Sequence, residues 1–329
     1  MRAPTALLPL ALTCACAAAP RVDRRPVEAP PRVGDAIVVC GRRFAIGTPV
    51  VLWDQPPYYD ASRVEPRFAA AGETAADAPE GLRYQPGRVR RDGTERVLVE
   101  PYEADLERVR EVVDQLVLHY DVAGTSETCF RVLHDQRGLS VHFLLDLDGT
   151  LYQTLDLRDQ AFHATKANPR SVGVEIANVG AYPPGRRSAL DEWYRVDAGG
   201  PYVAIPARLG DGGLRTTGFV ARPARPERVR GVVQGQALEM YDLTPEQYDA
   251  LVALAAGLAR VLPRIEPDAP RGADGVVATV ALEPAAYDAF RGILGHHHVQ
   301  ANKVDPGPAF DWERFLARVR ERSTGSTAP

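Results

Sequence analysis

The sequence predicts an α/β fold, a mixed central β-sheet flanked by helices, with an N-terminal decoration and an inserted lobe. Three observations carry this reading. "QLVLH" (115–119) and "SVGVEIANV" (171–179) are apolar runs of strand length. "LSVHFLLDLDGTLYQTL" (139–155) reads as strand, Asp-Gly turn, strand. Helical patterns alternate with these runs, and strands interspersed with helices around an antiparallel hairpin imply a mixed sheet covered by helices.

Taken in order, residues 1–19 carry one basic residue, an apolar run from Ala6 to Leu12, then small residues and two cysteines, the layout of an export signal. Mature protein is expected to begin near Cys14, Cys16 or Pro20, in the periplasm or cell envelope. Small residues surround both cysteines, so a lipid anchor is one outcome; neither has a leucine three positions upstream, and plain cleavage stands beside it. Residues 20–33, rich in Pro, Arg and Glu, read as a tether. Residues 34–100 read as an accessory region: "AIVVC" and "TPVVLW" are short strands, but from Asp54 to Thr94 Pro, Ala and Gly leave little periodicity, and no chemistry is evident.

Residues 101–322 form the main domain, followed by a flexible tail at 323–329. "EADLERVREVV" spaces Leu106, Val109 and Val113 as a helix does. "TSETCFRVLHDQRG" offers Thr125 or Ser126 as N-cap and Gly138 as a stop. Residues 180–241 interrupt the pattern with Gly, Pro and Arg clusters, as an inserted hairpin lobe or a mobile substrate lid. Thr244, Pro245 and Gln247 then open "TPEQYDALVALAAGLARVL" as N-cap, first helical residue and capping-box partner. "DWERFLARV" closes the domain as an amphipathic helix.

A net charge of −4 gives no polycationic footprint, which argues against nucleic acid as a main partner and favours a small polar substrate. Beyond the leader no run approaches the roughly 20 apolar residues of a membrane span. Cys40 and Cys129, the two cysteines outside the leader, permit one disulfide or two buried thiols and have no zinc-finger spacing.

Catalytic zinc needs three protein ligands and an open position for water. His119 at a strand end, one of His296 to His298 after a glycine, and Asp305 in the turn-forming "KVDPGP" are candidates. Three consecutive histidines also suggest a tag, but ordinary sequence ending in a helix follows them. Glu175 sits between apolar Val174 and Ile176, where a carboxylate must be paired or protonated. A salt bridge satisfies that demand; so does a role as general base with proton affinity raised by burial.

"LVLHYD", "VHFLLDLDGTLYQ", "SVGVEIAN" and "GHHHVQANKVDPGPAFDW" occur in one order, and jointly they resemble the zinc-dependent N-acetylmuramoyl-L-alanine amidases of the type-2 amidase and peptidoglycan recognition protein superfamily. The likeness covers about residues 115–319, interrupted at 180–241, and is greatest to the anhydro-muropeptide amidases. It implies a peptidoglycan amidase-like fold, a muramyl-peptide substrate, and Zn2+ held by His119, His296 and Asp305. His296 is chosen because it follows Gly295 as the family's Gly-His pair does. The spacing from that pair to the aspartate is one residue shorter than in the anhydro-muropeptide amidases and one longer than in some phage amidases, so His297 stays an alternative ligand. Otherwise His297 and His298 read as groove residues or as supports behind the metal ligands, with a solvent-facing place preferred, and His297 is the one assigned to substrate.

The same resemblance assigns Glu175 to proton transfer and Lys303 to the oxyanion. Phage-type relatives carry a tyrosine where this chain has Val141, which leaves more to Glu175. "QAFHATKAN" is similar to the family's aromatic-His-Ala-Gly segment, which places His163 in the groove. Asn178 binds substrate or caps the strand end, and His142 reads as a buried histidine bonded to a backbone carbonyl. The rival function is a recognition module that holds peptidoglycan without cutting it; such relatives lack a metal ligand, and all three are present here.

Overall fold

The structure, a computed structural model, describes residues 33–68, 80–89, 96–97 and 102–324. The leader and anchor assigned to residues 1–19, most of the tether and the last five residues lie outside the described residues. No helix among the described residues is long and apolar enough to cross a membrane.

The chain opens with β1 (Ala36–Val39), β2 (Arg42–Ala45), β3 (Val50–Leu52) and the two-residue strands β4 (Tyr84–Gln85), β5 (Arg88–Val89) and β6 (Arg96–Val97). Next come α1 (Tyr102–Val112), β7 (Gln115–Tyr120), α2 (Ser126–Phe130, continued by a π-helical turn at Arg131–Gln136), β8 (Phe143–Leu145), β9 (Leu151–Gln153), β10 (Gln160–Ala161) and β11 (Ser171–Ile176). The inserted region holds α3 (Ala189–Trp193) and two hairpins, β12 (Tyr194–Asp197) with β13 (Gly200–Val203) and β14 (Val229–Val233) with β15 (Gln236–Met240). The chain ends with α4 (Pro245–Val261), α5 (Pro284–Ala289), β16 (Gly292–Gly295), the single turn α6 (His296–Val299) and α7 (Trp312–Thr324).

Six strands make the central sheet in the order β16-β7-β11-β8-β9-β3. The first four run parallel, β9 returns antiparallel to β8 through the Asp-Gly turn, and β3 lies parallel to β9. The sheet is thus mixed, as the sequence predicts. Side chains alternate between its faces. Leu116, Leu118, Val172 and Val174 share a core with Leu251, Leu254 and Leu258 of α4 and Phe315, Leu316 and Val319 of α7. On the other face Leu144 and Tyr152 pack against Cys129 and Phe130 of α2, and Val117 and Leu294 pack against Ala164 and Ala167. Burial on both sides explains why the parallel strands read as continuous apolar runs.

The capping box of α4 forms as its sequence indicates: Thr244 Oγ1 accepts the Gln247 N–H at 3.0 Å, and Gln247 Oε1 accepts the Thr244 N–H at 3.0 Å. Both caps also reach the sheet, Thr244 Oγ1 donating to Leu147 O and Gln247 Nε2 to Ala177 O. Cap and sheet therefore fix one another.

The described part of the N-terminal region is joined to the main domain. β3 is the edge strand of the central sheet, and Ile37, Val39, Ile46 and Leu52 belong to the main core. Buried side chains substitute for a ladder at this junction. Gln153 accepts from Val38 N–H and donates to Val38 O, both at 2.8 Å, while Asp156 accepts from the N–H groups of Cys40 and Gly41 at 2.7 Å. Cys40 and Cys129 are both buried and are not bonded to each other. They sit in separate apolar clusters on opposite faces of the sheet, which excludes a disulfide between them.

At the end of the sheet away from the histidines, buried Arg170 grips Asp114 through two bonds of 2.6 and 2.7 Å and donates to Phe290 O at 2.9 Å. Arg170→Met leaves Asp114 buried without its bidentate partner and is expected to lower unfolding free energy by about 3 kcal/mol. Urea denaturation measures this loss, and unchanged stability would contradict the role given to the pair.

Candidate metal centre

Parallel strands deliver the site. β7 ends in His119-Tyr120, neighbouring β16 ends at Gly295, and His296 follows at once, so two imidazoles arise at the same end of adjacent strands. Asp305 returns to this place after a short loop and is fastened there by His297. The His297 backbone N–H and ring Nδ1 lie 3.1 and 2.9 Å from Asp305 O. β11 is in register with β7 so that Glu175 pairs with His119, which puts both side chains on one face about 4.8 Å apart along the sheet.

Two glycines make this packing possible. A Cβ on Gly295 would stand 2.6 Å from both His297 Nδ1 and Pro306 Cδ. A Cβ on Gly173, inside β11, would stand 2.6 Å from His163 Nδ1, so the bare backbone is the seat of the His163 ring.

His119 Nδ1 lies 3.0 Å from His296 Nδ1 and 3.1 Å from Asp305 Oδ2, and His296 Nδ1 lies 3.0 Å from the same oxygen. These residues are the one group of three metal-binding side chains among the described residues whose donor atoms converge within 4.8 Å. Zinc bonds of about 2.0–2.1 Å in tetrahedral geometry imply donor-to-donor edges of roughly 3.3 Å, close to this triangle. Two imidazoles and a carboxylate also suit zinc chemically, and the triangle leaves a fourth corner open to the pocket. The donor set fits the ion.

The other ring nitrogens are held as ligating histidines require. His119 Nε2 faces His163 Nδ1 at 3.0 Å, whose Nε2 is 3.1 Å from Ser171 Oγ; His296 Nε2 faces Gln300 Oε1 at 2.7 Å. Since the Gln300 oxygen only accepts, it takes the His296 Nε2 proton; with an ion bound, Nδ1 would give up its hydrogen bond to Asp305 and present its lone pair to the centre. Burial, reinforced by neighbouring His296, lowers the His119 pKa to about 4, which keeps its imidazole neutral and able to donate electrons. Burial alone would raise Asp305, but hydrogen bonds to His119 and His296 hold it well below the usual carboxylate range.

A pocket of about 160 Å³ opens over this triangle. Glu175, Lys303, His163 and Arg137 line it. Glu175 Oε2 is buried without a hydrogen-bond partner among the described residues. Burial and the charges of Asp305 and Asp121 push its carboxyl well above the ordinary range, partly offset by Lys303 and Arg137. Among the described residues no salt bridge accounts for Glu175.

One reading of the sequence needs correction. His297 and His298 are buried, not solvent-facing. His298 Nδ1 accepts the Gly295 N–H and its Nε2 donates to Ala278 O, whereas His297 points at the Asp305 carbonyl instead of the donor triangle or the pocket. Asn178 has the partners of a strand-end cap: its Oδ1 accepts from Gly180 N–H at 2.8 Å and its Nδ2 lies 3.4 Å from Tyr241 O. His142 does face a backbone carbonyl, with Nε2 3.1 Å from Asp159 O. Sequence reasoning passed over Arg137, Gln300 and Gly173; an isolated glycine in a strand was the available sign for the last.

The family model described as N-acetylmuramoyl-L-alanine amidase matches residues 109–308. No curated protein sequence matches the chain. Among solved structures, a selenomethionine derivative of AmpD is 17% identical, with 74% of this chain and 94% of that one covered and a TM-score of 0.32. The N-acetylmuramyl-L-alanine amidase AmiD from E. coli, in complex with anhydro-N-acetylmuramic acid-L-Ala-D-gamma-Glu-L-Lys, is 18% identical, with 70% and 65% covered and a TM-score of 0.34. The N-acetylmuramoyl-L-alanine amidase LysC from Clostridium intestinale is 14% identical, with 64% and 88% covered and a TM-score of 0.32.

Ligand and support separate by titration with a divalent ion. His119→Ala, His296→Ala and Asp305→Ala are expected to abolish stoichiometric binding. His297→Ala should keep one site per chain while weakening it about 10- to 100-fold. Loss of the site in His297→Ala with retention in His296→Ala would reverse the assignment.

Proposed function

The chain belongs to the N-acetylmuramoyl-L-alanine amidase family, and on that premise we propose that it hydrolyses the amide joining the lactyl group of N-acetylmuramic acid to L-alanine, as a zinc enzyme. The observation that carries this reading is the meeting of His119, His296 and Asp305 beneath a pocket that also holds Glu175 and Lys303.

Zinc on His119, His296 and Asp305 would supply Lewis acidity toward the amide carbonyl and lower the pKa of water at neutral pH. Glu175 takes the proton of the attacking water on its carboxylate and returns it to the leaving nitrogen, giving the lactyl carboxylate and a free L-alanine amine. Lys303 places its ammonium at the pocket wall, where a fixed cation stabilises the negative charge that develops on the carbonyl oxygen. His163 holds His119 through Nε2 while its ring edge borders the same pocket, so it serves as an anchor for a ligand as well as a groove residue. The pocket walls from α2, including Val132 and Leu133, exclude water from one side of the scissile bond. With this reading go an export signal at residues 1–19, either lipidated at Cys14 or Cys16 or simply cleaved, and a place in the periplasm or cell envelope beside the substrate.

Incubation with purified peptidoglycan tests the activity: new amino termini on L-alanine support hydrolysis, and zinc-containing protein that binds the polymer without releasing peptides would favour a recognition module. Glu175→Gln is expected to lower kcat by about 10²- to 10⁴-fold. Lys303→Ala is expected to lower it by about 10²- to 10³-fold. Both should retain zinc by metal analysis; full activity in either variant would remove that residue from the mechanism.

A further inference from the structure

The inserted region contacts the α6 turn through the Gln234 side chain. The tip of the β14–β15 hairpin consists of Gln234 and Gly235, with φ of 52° and 72°. A two-residue turn with positive φ at both central positions favours Asn or Gly at the first. Glutamine there is a strained choice, and such strain persists where surrounding contacts fix it. Those contacts are specific. Gln234 Nε2 donates to His297 O at 2.7 Å and lies 3.3 Å from Gln300 O, its Oε1 accepts the Ala281 N–H at 3.2 Å, and its backbone N–H donates to Thr279 O at 2.8 Å.

His297 O is a carbonyl left without an intrahelical partner at the end of the one-turn α6, whereas Gln300 O, just beyond it, also accepts the Lys303 N–H at 3.1 Å. That turn begins with His296, and Gln300, which follows it, holds His296 Nε2 at 2.7 Å. The amide thus ties the turn that bears one metal ligand to the 278–282 segment and to the inserted hairpin. Elsewhere the inserted region meets the other ligand's strand end: Trp193 lies against Gly124, in the loop that follows β7.

We infer that Gln234 is a positioning residue, by which the inserted lobe holds α6 and, through Gln300, keeps His296 Nδ1 aimed at His119 and Asp305. This rests on the zinc reading above. Its test uses the zinc-loaded full chain with Gln234→Gly and Gln234→Glu, measuring transfer of zinc to a chelator and thermal unfolding of the metal-free proteins. Glycine relaxes the turn, so metal-free Gln234→Gly should unfold at or above the wild-type temperature, yet release zinc about 10-fold faster or more. Glutamate keeps the length but removes the donor and should also release zinc faster.

Wild-type release rates in both variants would overturn the assignment while leaving the zinc reading intact. Faster release accompanied by a lower Tm in both metal-free variants would make Gln234 a general stability residue and overturn it too. A wild-type chain that retains no zinc would instead overturn the metal reading, and the inference with it.

Discussion

The parallel pairing of β16, β7 and β11 is the constraint on which the rest of the structure depends. It brings His296, His119 and Glu175 to one end of three adjacent strands, although they are separated widely in the chain. Because strand partners are spaced by backbone hydrogen bonds, the imidazole of His119 and the carboxyl of Glu175 stand side by side at a distance the sheet sets, not the side chains. Open α/β sheets place their ligand sites beyond the carboxyl ends of their parallel strands, and this pocket follows that rule. The apolar packing on both faces holds the pairing and so holds the chemistry.

Convergence has an electrostatic cost, and the surroundings divide it unevenly. His119 is kept neutral by burial, Asp305 is kept charged by the two imidazoles, and Glu175 is biased toward its protonated form by burial near two carboxylates. Pairs of titratable groups whose environments push them apart mark acid and base roles. Here two carboxylates, Asp305 and Glu175, share one pocket with opposite shifts. The outer contacts, His163 with Ser171 behind His119 and Gln300 behind His296, fix which nitrogen faces inward.

Much of this was legible in the sequence, and the limits are physical. The strands carrying His119 and Glu175, the Asp-Gly hairpin and the α4 capping box are local patterns written in periodicity and turn chemistry, and each forms where its pattern lies. The triad came from a resemblance in motif order, since periodicity could not say that positions 119, 296 and 305 meet. How the N-terminal region joins the core was not legible, because β3 pairs with a strand about a hundred residues away and β1 is tied down by the Gln153 and Asp156 side chains. His297 was misread because polar residues beside a loop suggest solvent, whereas its ring is spent on the Asp305 carbonyl. Gln234 had no local signal except an uncommon residue in a tight turn.

Anomalous diffraction at the zinc edge from crystals of the zinc-loaded protein tests the central claim most directly. The account predicts one strong peak bounded by His119 Nδ1, His296 Nδ1 and Asp305 Oδ2, with the side facing Glu175 open. A peak bound instead through His297, or none between these three side chains, would contradict it.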